Sequence, residues 1–169
     1  ASARWASWNR ACAQTLAAGS GSPPRSGSLE RIARHLVEAE AWNEALQPLL
    51  DAYEAMRIRV ELRSQEALLD LWDLAADRAG LEDTDPRRGQ GEIRRAKTLG
   101  SQGRHAGALA ALDALEGRAK RYGWEVLADI YLSRGDHAKR SGAQAEALMW
   151  LTMAEDRFVS QKRWLHAAY

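Results

Sequence analysis

Apolar side chains recur every three to four residues along nearly the whole chain, which is the period of an amphipathic α-helix. No segment shows the alternation of β-branched and polar residues that is typical of a strand. The pattern therefore predicts an all-α protein. The predicted helices lie near residues 3–18, 28–40, 43–58, 61–80, 87–102, 105–122, 124–140 and 143–161.

The breaks between these helices have chemical causes. The stretch GSGSPPRSGS (19–28) is rich in glycine and proline, and we expect a flexible loop there, with Ser26 or Ser28 capping the next helix. Asp85 is expected to cap a helix whose first residue is Pro86, a position where the missing N–H costs nothing. Pro48 falls inside a helical pattern and should remove a hydrogen bond or bend that helix.

An Ala-Leu pair begins the same short pattern in four helices, with leucine four residues after the alanine and leucine or alanine seven after it. The four alanines are Ala45, Ala67, Ala108 and Ala147. In the last two copies a glycine, Gly103 or Gly142, stands five residues before the alanine. We interpret the glycine as the left-handed residue that ends a helix, and the alanine as a small residue that lets two helix axes approach to about 8–10 Å.

These residues resemble the tetratricopeptide repeat. Its pattern places a small residue in the first helix, a glycine near the turn, an alanine early in the second helix, and apolar residues four and seven positions later. Two copies match in full: Ala96, Gly103, Ala108, Leu112 and Leu115, then Gly135, Gly142, Ala147, Leu151 and Ala154. A third copy matches at Ala33, Ala45, Leu49 and Ala52, with Glu40 at the glycine position. No proline closes a repeat, and Ala67 follows Ala45 closely, so we expect the second helix pair to be irregular.

A second resemblance covers residues 29–56, which are similar to the helical repeats that follow the ATPase module in bacterial STAND-type signalling proteins. That group includes MalT-like regulators and ATPases fused to Ser/Thr kinases. This resemblance implies that the chain is part of a larger bacterial signalling protein.

Together the resemblances imply a right-handed α-solenoid of antiparallel helix hairpins. Residues 1–27 would form an N-terminal helix and loop, and residues 28–169 a repeat array truncated at its C-terminus. The first helices of such an array line a concave face that binds a protein, a peptide or a small effector. The candidate residues on this face are Glu30, Arg34, Glu38, Lys97, Asp129, Asp136, Lys139 and Arg140. The alternative is that they are ordinary solvated polar residues.

Charge and cysteine content narrow the class of partner. The 24 lysines and arginines nearly balance 23 aspartates and glutamates, so the net charge of +1 gives no field that would attract nucleic acid or an acidic membrane. Cys12 is the single cysteine, which excludes an internal disulfide and a cysteine-rich metal cluster and agrees with a reducing compartment. We expect a cytoplasmic protein that binds neither nucleic acid nor membrane.

Catalytic or metal-binding groups do not converge in the sequence. His35 with Glu38 and His137 with Asp136 each form a neighbouring pair, but no third group completes a ligand set or a triad, and we interpret both as exposed pairs. The EDTD cluster (82–85) lacks the glycine and the final glutamate of a calcium loop. The sequence predicts a protein that is not an enzyme and has no cofactor and no metal.

The seven tryptophans lie near both ends of the chain and within its interior. Four apolar residues form a stripe on the first helix: Trp5, Trp8, Cys12 and Leu16. Such a stripe usually enters a core, but at a chain end it could instead dock onto a preceding domain. Four further tryptophans are expected to fill space between helices: Trp42, Trp72, Trp124 and Trp150.

Near the C-terminus, Trp164, Leu165 and Tyr169 begin a helix without a partner, so we expect self-association through the exposed ends. The hypothesis is a non-catalytic helical-repeat module for binding a protein or an effector. The alternative hypothesis is a structural spacer or self-association domain without a ligand of its own.

Overall fold

The computed structural model describes residues 2–19 and 26–161, and every regular element among them is a helix. The helices are α1 Ala3–Gly19, α2 Ser26–Glu38, α3 Trp42–Ile58, α4 Leu62–Arg78, α5 Pro86–Ser101, α6 His105–Tyr122, α7 Leu127–Arg140 and α8 Gln144–Ser160. The all-α prediction is confirmed, and each helix begins and ends within three residues of its predicted bounds. The predicted loop at residues 19–28 is shorter than expected, because Gly19 belongs to α1 and residues 26–28 begin α2. Residues 20–25 of that loop, and the predicted terminal helix with Trp164, Leu165 and Tyr169, lie outside the described residues.

The chain divides into two compact units, Ala1–Glu82 and Asp83–Tyr169. In the first unit, α1 packs on α2, α2 on α3 and α3 on α4. In the second, α5 packs on α6, α6 on α7 and α7 on α8, and α5 also contacts α7. The expected boundary at residues 27 and 28 is not where these units divide, because α1 packs against α2 and belongs with the first unit.

Each unit has its own apolar core, to which every helix contributes the residues of one face. The largest fully buried apolar side chains of the first unit are Leu49, Tyr53, Leu68, Leu69 and Trp72. Those of the second unit are Ile93, Leu112, Leu115, Ile130 and Phe158. Trp72 and Trp124 are buried and Trp42 and Trp150 are half-buried, as the space-filling prediction requires.

One turn geometry links four pairs of consecutive helices. Each turn has three residues, and its middle residue takes a left-handed conformation: Glu40 at φ 54°, Val60 at 59°, Gly103 at 77° and Gly142 at 82°. The third residue of the turn donates its N–H back into the preceding helix, as Ala143 does to the carbonyl of Ala138 at 2.9 Å. This bond closes the free end of the helix. The predicted conformations of Gly103 and Gly142 are confirmed, and Glu40 takes the glycine position with the same geometry.

The turn at Val60 corrects the register of the second copy of the repeat pattern. Five residues after each left-handed residue comes a buried position, which Ala45, Ala108 and Ala147 occupy in the other copies. In the second copy this position is Gln65, which is 1% exposed, whereas Ala67 is exposed. The alignment on Ala67 was therefore wrong by two residues, and a buried glutamine replaces the expected small residue.

Helices α7 and α8 cross closely at a glycine. A Cβ atom added at Gly135 would lie 2.7 Å from the Cγ and Cδ2 atoms of Leu151 and 3.5 Å from the carbonyl oxygen of Ala147. Leu151 thus occupies the space that a side chain at residue 135 would need. The small residues predicted at these two positions of the pattern lie at a helix contact.

Two proline predictions concern helix geometry. Asp85 caps α5 by accepting the backbone N–H of Arg87 at 2.9 Å, and Pro86 is the first residue of that helix, as predicted. Helix α3 continues through Pro48. Its missing N–H leaves one helical hydrogen bond unmade.

The left-handed backbone at Val60 gives the first testable prediction. A β-branched side chain is strained in this conformation, and the Val60 side chain is exposed, so it gains little from packing. We expect Val60→Gly to raise the free energy of unfolding by roughly 0.5–1 kcal/mol in urea titrations, after subtraction of the chain entropy that glycine costs. The matched change Val159→Gly, at an exposed helical position, should lower it. An unchanged or reduced stability of Val60→Gly would show that the turn is not strained.

Candidate functional site

The predicted binding-face residues fall into two groups, one in each compact unit. Three lie on α2: Glu30, Arg34 and Glu38. In the second unit, Lys97 lies on α5, and the remaining four lie on α7: Asp129, Asp136, Lys139 and Arg140.

The α2 group is partly satisfied by its own members. The spacing of four residues aligns Glu30, Arg34 and Glu38 along one side of the helix. Arg34 donates to the Oε1 atom of Glu30 from Nε at 3.0 Å and from Nη2 at 2.9 Å. An exposed pair of this kind contributes roughly 0.3–0.5 kcal/mol to helix stability. Two of the three candidates therefore behave as a surface ion pair.

The α7 group forms one solvent-facing surface, which we call the α7 face: Asp129, Asp136, Lys139 and Arg140. Residues three, four and seven apart share one side of a helix, and this is the spacing of the four. The opposite side of α7 enters the core through residues such as Ile130 and Ala138. The α7 face therefore presents two carboxylates and two cations to solvent.

The four residues of the α7 face differ in their interactions with neighbouring side chains. Asp136, Lys139 and Arg140 are exposed, and within the part of the chain that the structure describes they form no ion pair. Asp129 is half-buried and, like Lys97 on α5, interacts with other groups. The C-terminal half of the α7 face is thus the part best able to bind another molecule.

A half-buried cation that sequence reasoning missed holds α7 on the side away from the α7 face. Arg134 donates from Nη2 to Glu116 at 2.8 Å and also pairs with Asp113, both on α6. Its guanidinium carbon lies 4.7 Å from the ring centroid of Trp150 on α8, and that indole stacks on Tyr131 at 5.6 Å. This Arg134 cluster joins α6, α7 and α8 by charge-assisted hydrogen bonds and a cation–π contact.

The sequence did contain a signal for the Arg134 cluster. Position 134 lies four residues after Ile130 and four before Ala138, so it belongs to the apolar stripe of α7. A cation in such a stripe requires partners, because an unpaired buried charge is costly. The sequence alone gives no sign that Asp113 and Glu116 supply them.

The position of His137 differs from the one expected from the sequence. It is 5% exposed rather than part of an exposed pair with Asp136. Its ring lies where a side chain at Gly100 would be, since a Cβ added there would come within 1.9 Å of the ring carbon Cε1. The glycine on α5 therefore makes room for the imidazole of α7. The ring also meets His105 edge-on at 5.8 Å, and its Nδ1 atom has no hydrogen-bond partner in the described residues.

The surroundings of His137 disfavour its charged form. Burial is the largest cause that lowers its pKa, and the positive charges of His105 and Arg140 lower the pKa further. The carboxylate of Asp136 opposes these effects only in part. His137 is accordingly a neutral packing residue at neutral pH.

The aromatic residues of α1 lie on the surface. Trp5 and Trp8 stack on each other with centroids 5.3 Å apart, and they are 47% and 54% exposed. The core hypothesis for this stripe is wrong for these two residues, and docking onto another domain stays a prediction. His35 does not pair with Glu38 as expected, because its Nδ1 lies 2.8 Å from the Oδ1 atom of the buried Asn9.

Two general properties bear on function. In residues 2–19 and 26–161, no three histidine, cysteine, aspartate or glutamate side chains converge as they would to hold a metal ion. Within the same ranges, no helix has the length and apolar character that crossing a bilayer demands.

Comparisons with family models, with curated proteins and with solved structures find no match to this chain.

The second prediction follows from His137. Its folded-state pKa lies below the unfolded value of about 6.5, so the folded protein binds fewer protons than the unfolded chain in the pH range between the two. The free energy of unfolding should therefore fall as the pH drops from 7.5 through the folded pKa. We expect urea titrations to show a smaller loss for His137→Gln, and an intermediate loss for His105→Gln, which removes one neighbouring positive charge. Equal pH dependence of the wild type and His137→Gln would contradict the assignment.

Proposed function

We propose that this chain is a non-catalytic helical-repeat module that binds a protein, a peptide or a small effector within a larger bacterial cytoplasmic signalling protein. Its helices would form antiparallel hairpins stacked into a right-handed solenoid, as in tetratricopeptide repeats. The recurrence of one turn geometry, followed after five residues by a buried position, supports this proposal. Repetition of this kind is the signature of a repeat architecture rather than of a catalytic centre.

The α7 face is the proposed binding surface. Its two signs of charge would select a partner by the pattern of charge rather than by net attraction. The Arg134 cluster supports this assignment, because it holds α7 against α6 and α8 and so provides a rigid base for the exposed side chains. The single observation that carries the proposal is that Asp136, Lys139 and Arg140 share one exposed side of a helix that is otherwise buried.

Reversing charge on the α7 face tests the proposal. We expect the double variant Lys139→Glu/Arg140→Glu to capture partners at least about fivefold less well in quantitative cross-linking of the full-length protein, since a charge-assisted hydrogen bond contributes roughly 1–3 kcal/mol. Thermal stability should change little, because exposed charges contribute little to folding.

The matched control is Arg104→Glu/Arg121→Glu, which makes the same change in net charge at two exposed arginines flanking or ending α6. It should retain capture and the salt dependence of the wild type. If both double variants lose partners equally, net charge rather than the α7 face would decide binding, and the proposal would fail.

The second candidate is a structural spacer that associates with itself. The observation that favours it is the exposure of large apolar side chains on α8, where Leu148 is 68% and Met149 48% exposed, together with Trp5 and Trp8 on α1. Retention of every partner by Lys139→Glu/Arg140→Glu, together with concentration-dependent sedimentation, would make this candidate the better one.

A further inference from the structure

An open cavity of about 510 Å³ lies in the second unit, between the start of α5 and the turn that joins α6 to α7. Its lining includes two buried residues, Trp124 and Val126, and four exposed ones, Pro86, Arg87, Tyr122 and Glu125. The volume falls within the roughly 300–1,000 Å³ that small-molecule sites occupy, and such sites combine aromatic walls with a few polar groups.

Trp124, one of the two buried lining residues, is held in a fixed position. The indole N–H of Trp124 donates to the carbonyl oxygen of Thr84 at 2.8 Å. Its ring lies against Gly89, where a Cβ would come within 3.3 Å of the ring. Because the indole N–H is already bonded and the ring is only 5% exposed, Trp124 can offer a ligand a small area of ring surface and no hydrogen bond.

A second ring offers more surface. Tyr122 is 41% exposed, and its centroid lies 5.7 Å from that of Trp124 at an angle of 36° between the planes. Two aromatic rings at an angle border the same cavity, and their faces carry partial negative charge.

One carboxylate at the cavity has no ion-pair partner in the described residues. Arg87 is bound by Asp85, with Nη2 to Oδ2 at 2.6 Å and Nε to Oδ1 at 3.0 Å. That hydrogen-bonded pair is electrically neutral as a whole. Glu125 is exposed, and its carboxylate forms no ion pair in the described part of the chain. Of the two charged residues that line the cavity, Arg87 is thus bound by Asp85, and Glu125 supplies a carboxylate without an ion pair beside the aromatic faces.

We propose that this cavity binds an organic cation, an ammonium group carried on an apolar body. The cation would lie over the ring of Tyr122, close to Trp124, and be neutralised by Glu125. An anionic ligand would be repelled by Glu125 and would find Arg87 already bound by Asp85, and an uncharged ring would make no use of Glu125. The ligand class is shared by free quaternary ammonium compounds and by lysine side chains of peptides. This site is independent of the proposed α7 face.

The test uses the 169-residue chain and tetramethylammonium, with tert-butanol as an uncharged probe of similar shape. We expect the methyl proton signal of tetramethylammonium to shift upfield on titration, because the bound cation lies over aromatic rings, and tert-butanol to bind at least about fivefold more weakly. Short peptides that contain lysine or its uncharged analogue norleucine form a second arm. If the lysine peptide binds more tightly than the norleucine peptide, the site is assigned to lysine side chains of peptides. If neither peptide binds, the site is assigned to free cations.

Two variants locate the site. Glu125→Gln and Tyr122→Leu should each weaken tetramethylammonium binding roughly two- to fivefold, whereas Glu155→Gln, at an exposed carboxylate of α8, should leave it unchanged. Thermal melts check that each variant is folded. If Tyr122→Leu destabilises the fold, the binding measured for Glu125→Gln decides the test. Equal binding of the two probes, an undiminished affinity in Glu125→Gln, or no binding at millimolar concentrations would overturn the proposal. Charge reversal on the α7 face should not affect this binding.

Discussion

The second unit depends on one constraint. Its helices approach each other closely at residues that have no side chain or a small one. At Gly135 the α7 backbone meets Leu151 of α8, and at Gly100 the α5 backbone meets the ring of His137. Both glycines lie inside helices, where glycine costs roughly 1 kcal/mol relative to alanine, so their presence is explained by contact rather than by helix propensity. These contacts fix where α7 lies between its neighbours.

The position of α7 determines which of its charges can serve a function. Because the helix is enclosed on one side, Arg134 is largely shielded from solvent and is neutralised by Asp113 and Glu116, whereas Lys139 and Arg140 on the other side reach solvent. Positively charged residues on a single helix thus have two different roles. The structural role follows from burial, and the proposed binding role follows from exposure.

Helix positions and turn chemistry were predictable from the sequence, because both depend on local patterns. The left-handed backbones at Gly103 and Gly142 are examples, since a glycine placed just after a helical pattern indicates them. The same conformation at Glu40 was not predicted, because glutamate rarely adopts it. The burial of Gln65 and His137 was not predictable, because it depends on which helices meet. The Oε1 atom of Gln65 has no hydrogen-bond partner in the described residues, an arrangement that costs about 1–3 kcal/mol and that no sequence rule favours.

Helix packing depends on the buried residue that lies five positions after the left-handed residue of each three-residue turn. The most direct measurement compares Ala108→Leu with Ala114→Leu in urea unfolding, since both alanines lie on α6 but only Ala108 is fully buried. Overpacking should lower the free energy of unfolding by about 1–3 kcal/mol for Ala108→Leu, while Ala114→Leu should stay within about 0.5 kcal/mol of the wild type. Equal stability of the two variants would contradict the claim.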